Sequence, residues 1–314
     1  MSSPDSIGFL LALAALSIAA GFGWTAAAIA WLTVRRLRLG AATRAALLAQ
    51  IRLLPLVAVI ALVSAQVVSF VRFEQEIPGE SAGPLLIITA LPGLALLVDA
   101  MLAAWKSWRM TQAVVGSWRA SASPLVMPMW RHRAWSVDRQ YPIVAVVGVV
   151  RPELIVATRV ATACTDAELA AIAAHESAHV RSGDNFLRAA FSITPGAAFL
   201  GSLAAAIERD WSAAAERAAD EHARATTSGL DLASALTKVA RMAIGPAPAR
   251  VGNGLIGEVS LEERVRALLE PPAPVRRLPI RTAAAAGWVA LVALLQQPQS
   301  LSGLHELFEL LTRR

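Results

Sequence analysis

Three long apolar stretches dominate the first third of the chain. Residues 7–34 carry no charged side chain, and residues 53–71 and 84–105 continue the pattern with almost no charge. A helix rises about 1.5 Å per residue, so each stretch is long enough to cross a hydrocarbon core of about 30 Å. We therefore predict three transmembrane helices within residues 1–105. A shorter, alanine-rich stretch over residues 282–296 predicts a fourth.

Between the third and fourth apolar stretches, the pattern becomes that of a compact domain. Residues 143–150 and 154–156 are rich in Val and Ile and predict two short strands around a turn, while the following segments show helical spacing. The predicted fold is a mainly α membrane protein with about four transmembrane helices. An α+β domain occupies residues 106–281, and residues 282–314 form the last span and a short tail.

Residues 191–207 are also uncharged but are not predicted to cross the membrane. A single crossing here would put the polar motifs before and after it on opposite sides of the bilayer. The segment is therefore expected to be a core, interfacial or re-entrant stretch, broken near Pro195 and Gly196.

Charges beside the apolar stretches predict the orientation. Basic side chains mark the cytoplasmic ends of spans. They are Arg35, Arg36, Arg38, Arg44 and Arg52 after the first span, Lys106, Arg109, Arg119, Arg131 and Arg133 after the third, and Arg276, Arg277 and Arg281 before the fourth. Acidic residues Glu74, Glu76 and Glu80 lie between the second and third spans. We predict a multi-pass protein of the cell membrane, with both termini outside and the 106–281 domain in the cytoplasm.

Composition agrees with a membrane protein that contacts the lipid bilayer. The chain is 56% hydrophobic and 17% charged, below the roughly 25% of soluble domains. The net charge of +6 could suggest nucleic acid as a partner, but these charges lie beside apolar segments, so no direct nucleic-acid binding is predicted. Arginine and alanine richness suggests a GC-rich bacterial genome. Cys164 is the single cysteine, so a metal site would use His and carboxylate ligands.

The clearest chemical motif is HExxH at residues 175–179. Thr165 and Glu168 form a capping-box pattern ahead of it, which predicts a helix through the motif. His175 and His179, four residues apart, then project from one face and can bind one zinc ion. Glu176 can take a proton from the water at the metal. Two buried histidines without a metal are the alternative interpretation of the same pattern.

A catalytic zinc commonly has three protein ligands, so a third must come from elsewhere. Glu216 follows His179 by 37 positions, and Asp220, four residues after Glu216, lies on the same face of the predicted helix. Glu216 is the predicted ligand, and Asp220 is predicted to accept the free N–H of a ligating histidine. His222 is a rival ligand on another face of that helix. His222 and Arg217 are also possible transition-state donors.

Two further features are open to more than one interpretation. Asp184 either joins the residues around the metal or helps end the zinc helix, where Gly183 is a natural stop. The pattern favours the structural role. The strands before the motif could hold an extended substrate by main-chain pairing, although any α+β domain also needs strands.

These motifs resemble those of the BlaR/MecR-type membrane metallopeptidases over roughly residues 100–296. The segments that carry the resemblance are VVGVVRPELIVA (146–157), AELAAIAAHE before HESAHVRSGD (175–184), ERAAD (216–220) and LEERVRALL (261–269). The resemblance implies a gluzincin-like cytoplasmic domain between spans three and four, one Zn²⁺ per chain, and a role in inactivating a transcriptional repressor. Antibiotic-sensing members carry a further penicillin-binding domain that these 314 residues do not contain, so antibiotic sensing is not predicted.

The predicted function is thus a membrane zinc endopeptidase acting on a protein or peptide substrate, in regulated proteolysis or signal transduction. HtpX-type and CAAX-prenyl-type membrane peptidases share the HExxH and ExxxD motifs and offer an alternative in protein quality control or processing. A zinc-stabilised membrane sensor that cuts nothing is a second alternative. Glu176 favours an enzyme, since a structural zinc site needs no base.

Overall fold

The computed structural model describes residues 4–73, 82–197, 199–243, 261–270 and 280–312. It opens with three long helices, α1 (Pro4–Arg35), α2 (Ala41–Phe73) and α3 (Pro84–Arg119). All three are long and apolar enough to cross a membrane. They pack against one another through small and aliphatic side chains. The protein therefore has three candidate membrane helices, as the apolar pattern predicts.

Two of these helices extend beyond the predicted spans. α2 begins at Ala41 and includes the basic Arg44 and Arg52, and α3 continues past residue 105 to Arg119. Residues 106–119 contain no proline and only one glycine, so nothing in the sequence ends the helix there. The predicted domain boundary at residue 106 consequently falls inside α3.

Two helices follow at the C-terminal end of the chain, α10 (Ile280–Leu295) and α11 (Pro298–Thr312). α10 lies along α2, where Trp288 Nε1 donates to Gln50 Oε1 at 2.8 Å. Its 16 residues span about 24 Å, so a fourth membrane crossing remains a prediction. The predicted tail is instead largely helical, and Phe308 of α11 is buried among residues of α1 and α3.

A four-stranded sheet follows α3, in the order β1-β2-β4-β3. The strands are β1 (Ala122–Pro124), β2 (Ala134–Val137), β3 (Val144–Val147) and β4 (Glu153–Ala157). The predicted strands correspond to β3 and β4, which pair antiparallel across a turn that contains Gly148 at φ +91°. β1 and β2 were not predicted.

Helices cover the sheet and complete the central domain. They are α4 (Thr158–Ala163), α5 (Asp166–Ser182), α6 (Asp184–Ser192), α7 (Gly201–Thr226), α8 (Gly229–Met242) and α9 (Leu261–Leu269). Buried side chains of the sheet, α5 and α8 form one hydrophobic core. Leu154, Ile172 and Leu236 are among its most buried members. This core fixes α5 against the sheet and places α7 beside it.

The segment over residues 191–207 packs against the long helices. α6 ends at Ser192 and α7 begins at Gly201, so the helix is interrupted around Pro195 and Gly196 as predicted. Trp24 Nε1 of α1 donates to the Pro195 carbonyl oxygen at 2.8 Å. Ile207 is fully buried among residues of α1 and α2. The segment thus joins the central domain to the candidate membrane helices.

α7 continues this junction through a buried arginine. Arg52 of α2 is 1% exposed, and its guanidinium contacts Glu208 Oε1 at 2.7 Å and the Phe191 carbonyl oxygen at 3.0 Å. Trp31 Nε1 of α1 donates to Asp210 Oδ2 at 2.9 Å.

Several sequence features lie outside the described residues: the acidic residues 74, 76 and 80, the basic residues 276 and 277, the loop over 245–257 and the linker over 271–274.

Candidate metal centre

The helix that carries HExxH begins and ends where the sequence predicts. Thr165 Oγ1 accepts a hydrogen bond from the Glu168 N–H at 3.3 Å, and Glu168 Oε2 accepts one from the Thr165 N–H at 2.7 Å. This capping box satisfies two of the backbone donors that a helix leaves open at its start. Gly183 ends the helix at φ 66°, a left-handed conformation that glycine adopts without steric cost. α5 therefore presents both histidines on one face.

The structure brings His175, His179 and Glu216 together. The two Nε2 atoms lie 3.1 Å apart, and the Glu216 carboxylate approaches His175 Nε2 at 3.5 Å and His179 Nε2 at 3.7 Å. One ligand atom from each residue lies within 4.8 Å of the other two, and all three side chains are buried. Residues from α5 and α7 thus form a group suited to one metal ion.

Each imidazole also has a carboxylate at its other nitrogen. His175 Nδ1 lies 3.0 Å from Asp220 Oδ1, and His179 Nδ1 lies 2.7 Å from Asp184 Oδ2. A carboxylate in this position fixes the tautomer and orientation of a ligating histidine, with Nε2 left for the metal. Asp220 lies where its predicted role requires it. Asp184 opens α6 directly after the Gly183 stop, so the favoured structural interpretation and the contact with His179 coexist.

A buried arginine links the two carboxylates of α7. Arg264 of α9 is 2% exposed. Its Nε and Nη2 donate to the two Asp220 carboxylate oxygens at 2.8 and 2.7 Å, and its Nη1 lies 3.2 Å from Glu216 Oε2. No motif in the sequence points to this residue. One signal was available: Arg264 and the buried Leu268 are four residues apart, so they share the inward face of α9.

Glu176 lies beside the group with neither carboxylate oxygen hydrogen-bonded to another described residue. The side chain is fully buried, and burial raises the pKa of this carboxyl. The charges of His179 and His175 lower it in part, and the resulting pKa is about 7. A carboxyl whose pKa lies near neutrality can both accept and return a proton at physiological pH. This environment is the one that a general base requires.

The carboxylates and His175 shift one another's pKa values in opposite directions. Burial would lower the pKa of His175, but Asp220 and Glu216 outweigh it and raise the pKa to about 10. Burial would raise the pKa of Asp220, but His175 and Arg264 lower it to about 2. The pKa of Glu216 is likewise lowered to about 2, mainly by His175, His179 and Arg264 against burial. Both α7 carboxylates are therefore held ionised.

The two possible transition-state donors have other contacts in this structure. The His222 ring is hydrogen-bonded to the Arg181 guanidinium. Arg217 is 54% exposed at its side chain and lies 3.4 Å from Glu263. Neither belongs to the metal group formed by the described residues. Their catalytic roles stay predictions.

β3 is an edge strand beside the metal group, next to α5. Asn185 Nδ2 donates to the carbonyl oxygens of Val146 and Gly148 at 3.1 and 3.0 Å, so it uses two acceptors that an added strand would need. A cavity of about 40 Å³ lies here and is lined in part by His179 and Phe186. Substrate pairing with β3 remains a prediction, and it would require Asn185 to move.

The donor set fits a zinc ion. Two imidazole nitrogens and a carboxylate oxygen are the ligands of one common type of catalytic zinc site, and the carboxylates behind the imidazoles complete the usual surroundings. Both Glu176 oxygens and Glu216 Oε2 are buried without a hydrogen-bond partner among the described residues, and buried polar atoms normally have one. The residues present thus suit a metal and a water.

Comparison with known proteins agrees with this geometry. The chain matches no curated protein and no solved structure. Residues 145–270, which include α5, α7 and α9, match the family described as Peptidase family M48. This match supports metallopeptidase activity, whereas the BlaR/MecR-type resemblance is not confirmed by it. Residues 145–270 thus form a domain similar to the metallopeptidases of family M48.

Proposed function

We propose that the protein is an integral-membrane, zinc-dependent endopeptidase that hydrolyses peptide bonds in a protein or peptide substrate. The observation that carries the proposal is the buried group of His175, His179 and Glu216, beside which Glu176 has no hydrogen-bond partner at either oxygen among the described residues. It lies within the segment similar to peptidase family M48. We assign the first three residues as the ligands of one Zn²⁺ and Glu176 as the catalytic base.

Zinc, when bound, would polarise the scissile carbonyl and lower the pKa of a water toward neutrality. Glu176 accepts the proton of the attacking water and delivers it to the leaving amine. Asp220 and Asp184 hold the two imidazoles with Nε2 directed at the metal, since each carboxylate faces an Nδ1 atom.

A comparison of Glu176→Gln with wild type tests this assignment. Glutamine keeps the size of the side chain but cannot accept the proton, so cleavage of fluorescently labelled casein should fall by about 10²–10⁴-fold. Purified protein in detergent should still contain one zinc per chain by elemental analysis. Glu262→Gln, at an 80% exposed side chain, is the matched control and should cleave like wild type. Equal cleavage by wild type and Glu176→Gln would remove Glu176 from the mechanism.

We further propose that the active site faces the cytoplasm close to the membrane surface. Support comes from Arg35 at the end of α1, from Arg44 and Arg52 at the start of α2, and from the basic end of α3. Glu216 follows Asp210, the partner of Trp31 and Arg35, by six residues, or about 9 Å along α7. The proposal includes α10 as a fourth span.

Orientation can be measured with single cysteines, because Cys164 is the only native one. In a Cys164→Ser background, a cysteine at exposed position 151 should be protected in intact cells from a membrane-impermeant maleimide. A cysteine at position 80, between the second and third spans, should be labelled. The reverse pattern would contradict a cytoplasmic active site.

The biological role that we propose is regulated proteolysis, such as inactivation of a transcriptional repressor. Its support is the resemblance of the HExxH, ERAAD and LEERVRALL segments to the BlaR/MecR-type peptidases. Proteomics of cells with wild type and with Glu176→Gln distinguishes this role from quality control. Loss of one DNA-binding protein supports signalling, whereas broad turnover of damaged membrane proteins supports the HtpX-type or CAAX-prenyl-type alternative.

A further inference from the structure

Arg264 lies on α9, which contacts α7 at three successive positions along the two helices. Along α7, Arg217 contacts Glu263, Asp220 contacts Arg264, and Arg224 Nη1 donates to the carbonyl oxygen of Ala267 at 3.0 Å. Arg224 also donates to the Glu270 carbonyl oxygen, at the end of α9. These contacts, with Leu268 buried in the core, fix the position of α9 on α7.

Burial makes the central contact the most consequential of the three. Arg217 and Glu263 have side chains 54% and 60% exposed, whereas Arg264 is 2% exposed. An exposed ion pair contributes little, but a buried guanidinium must have its charge compensated. Asp220 compensates it through two parallel hydrogen bonds, and Glu216 provides a second negative charge at 3.2 Å.

The charge inventory around the metal group is otherwise negative. Glu176, Glu216, Asp220 and Asp184 are four carboxylates buried within it. Arg264 and Arg52 are the two buried arginines among the described residues, and Arg52 lies at the α2–α7 junction instead. Arg264 therefore supplies the fixed positive charge of the site, and it contacts the same two oxygens, Asp220 Oδ1 and Glu216 Oε2, that lie closest to His175.

We propose that Arg264 is a positioning residue that sets the metal affinity of the site by holding Glu216 and Asp220 in place. Its Nη1 lies 3.2 Å from Glu216 Oε2, so its charge restricts the orientation of that carboxylate beside the two Nε2 atoms. Its Nε and Nη2 fix Asp220 against His175. The inference rests on the proposed zinc site, but it concerns how the ligands are held and not which reaction follows.

Arg264→Met removes the positive charge and the two parallel hydrogen bonds to Asp220, while it keeps the apolar part of the side chain. The expected result is a zinc dissociation constant raised by about 10–100-fold, measured by competition with a chromophoric chelator in detergent at low temperature. The catalytic efficiency should fall by a comparable factor at limiting zinc. Arg266→Met, on the same helix with a 66% exposed side chain, is the matched control and should leave both quantities within twofold.

Two additional measurements separate positioning from a merely structural role. Arg264→Lys keeps the charge but cannot form two parallel hydrogen bonds, so it should fold and show an intermediate zinc affinity. With Co²⁺ in place of zinc, Arg264→Met should lower the visible absorption intensity, because a released Glu216 can bind through both oxygens and raise the coordination number. A structural role alone would lower the melting temperature without changing the spectrum.

The outcomes are distinguishable. If wild type bound no zinc and cleaved nothing, the proposed function would fail irrespective of Arg264. If wild type bound zinc and both folded Arg264 variants bound it with wild-type affinity and spectrum, the positioning role would be overturned.

Discussion

The two imidazoles of the metal group are held in different ways. His179 contacts Asp184, five residues later, because Gly183 ends α5 and turns the chain back under the ring. His175 contacts Asp220 on another helix, and that carboxylate is in turn held by Arg264. The carboxylate that contacts His179 is local in sequence and needs only the end of α5 to reach the ring; we call it the local support, and Asp220 the remote support. The remote support requires α5, α7 and α9 to pack correctly, so it couples the metal site to the stability of the domain.

The pH dependence of the metal-free protein should show this coupling most strongly. Because the pKa of His175 is raised to about 10, its protonated form stabilises the fold below pH 6.5, and that stabilisation is lost as the pH rises toward 10. The melting temperature in EDTA should fall between pH 6.5 and 9, by the equivalent of roughly 3 kcal/mol. Asp220→Asn should make this fall smaller, because only Glu216 then raises the pKa of His175, and zinc-loaded protein should not show it. An equal fall in wild type and Asp220→Asn would contradict the coupling.

Replacing each supporting carboxylate by its amide compares the two arrangements directly. Asp220→Asn weakens a buried ion pair with Arg264, so the metal-free protein should lose about 2 kcal/mol. Asp184→Asn changes a contact with one ring and should cost less than about 1 kcal/mol. Zinc affinity should fall by about tenfold or more in both.

Thermal unfolding, followed by fluorescence of the nine tryptophans, measures the difference. Similar melting temperatures for the two amide variants would show that the remote support is no more important to the fold than the local one.

The helix stop at Gly183 gives the smallest expected effect. Alanine at φ 66° is strained by about 1 kcal/mol, although no heavy atom lies within 4 Å of the added carbon. Gly183→Ala should therefore lower the stability by about that amount and the zinc affinity only modestly. Gly201→Ala also has open space but a helical backbone, so it should lose no stability. Equal effects of the two substitutions would show that backbone strain at Gly183 is unimportant.

The sequence predicts the helix that carries the two histidines and also the remote partner Asp220, whereas for Asp184 it favours a structural role over the contact with His179. A capping box, an HExxH spacing and a glycine stop act within one helix, and their outcome follows from backbone geometry. The three apolar helices and the strands β3 and β4 were predictable for the same reason, since apolar periodicity reports burial directly. The remote residues gave weaker signals. Glu216 is predictable because its spacing with Asp220 is a known motif, whereas Arg264 has the appearance of any other charged residue in an amphipathic segment.

Other differences also have physical causes. Residues 122–137 contain prolines and short alternations, so β1 and β2 exist through pairing with β4 and not through a strong local pattern. α3 extends to Arg119 because polar residues do not end a helix unless a breaker accompanies them.

The junction between α7 and the long helices determines how this protein can be handled. Phe191, Ile207 and Trp211 are covered by Trp24 and by neighbouring residues of α1 and α2, not by the peptidase core. A fragment that starts at residue 106 would expose those side chains to water, and Ile207 and Trp211 belong to α7, the helix that carries Glu216. Exposed apolar surface of this kind promotes aggregation. Biochemistry on the excised domain would therefore report on a damaged enzyme, and the first two helices belong to the smallest unit worth purifying.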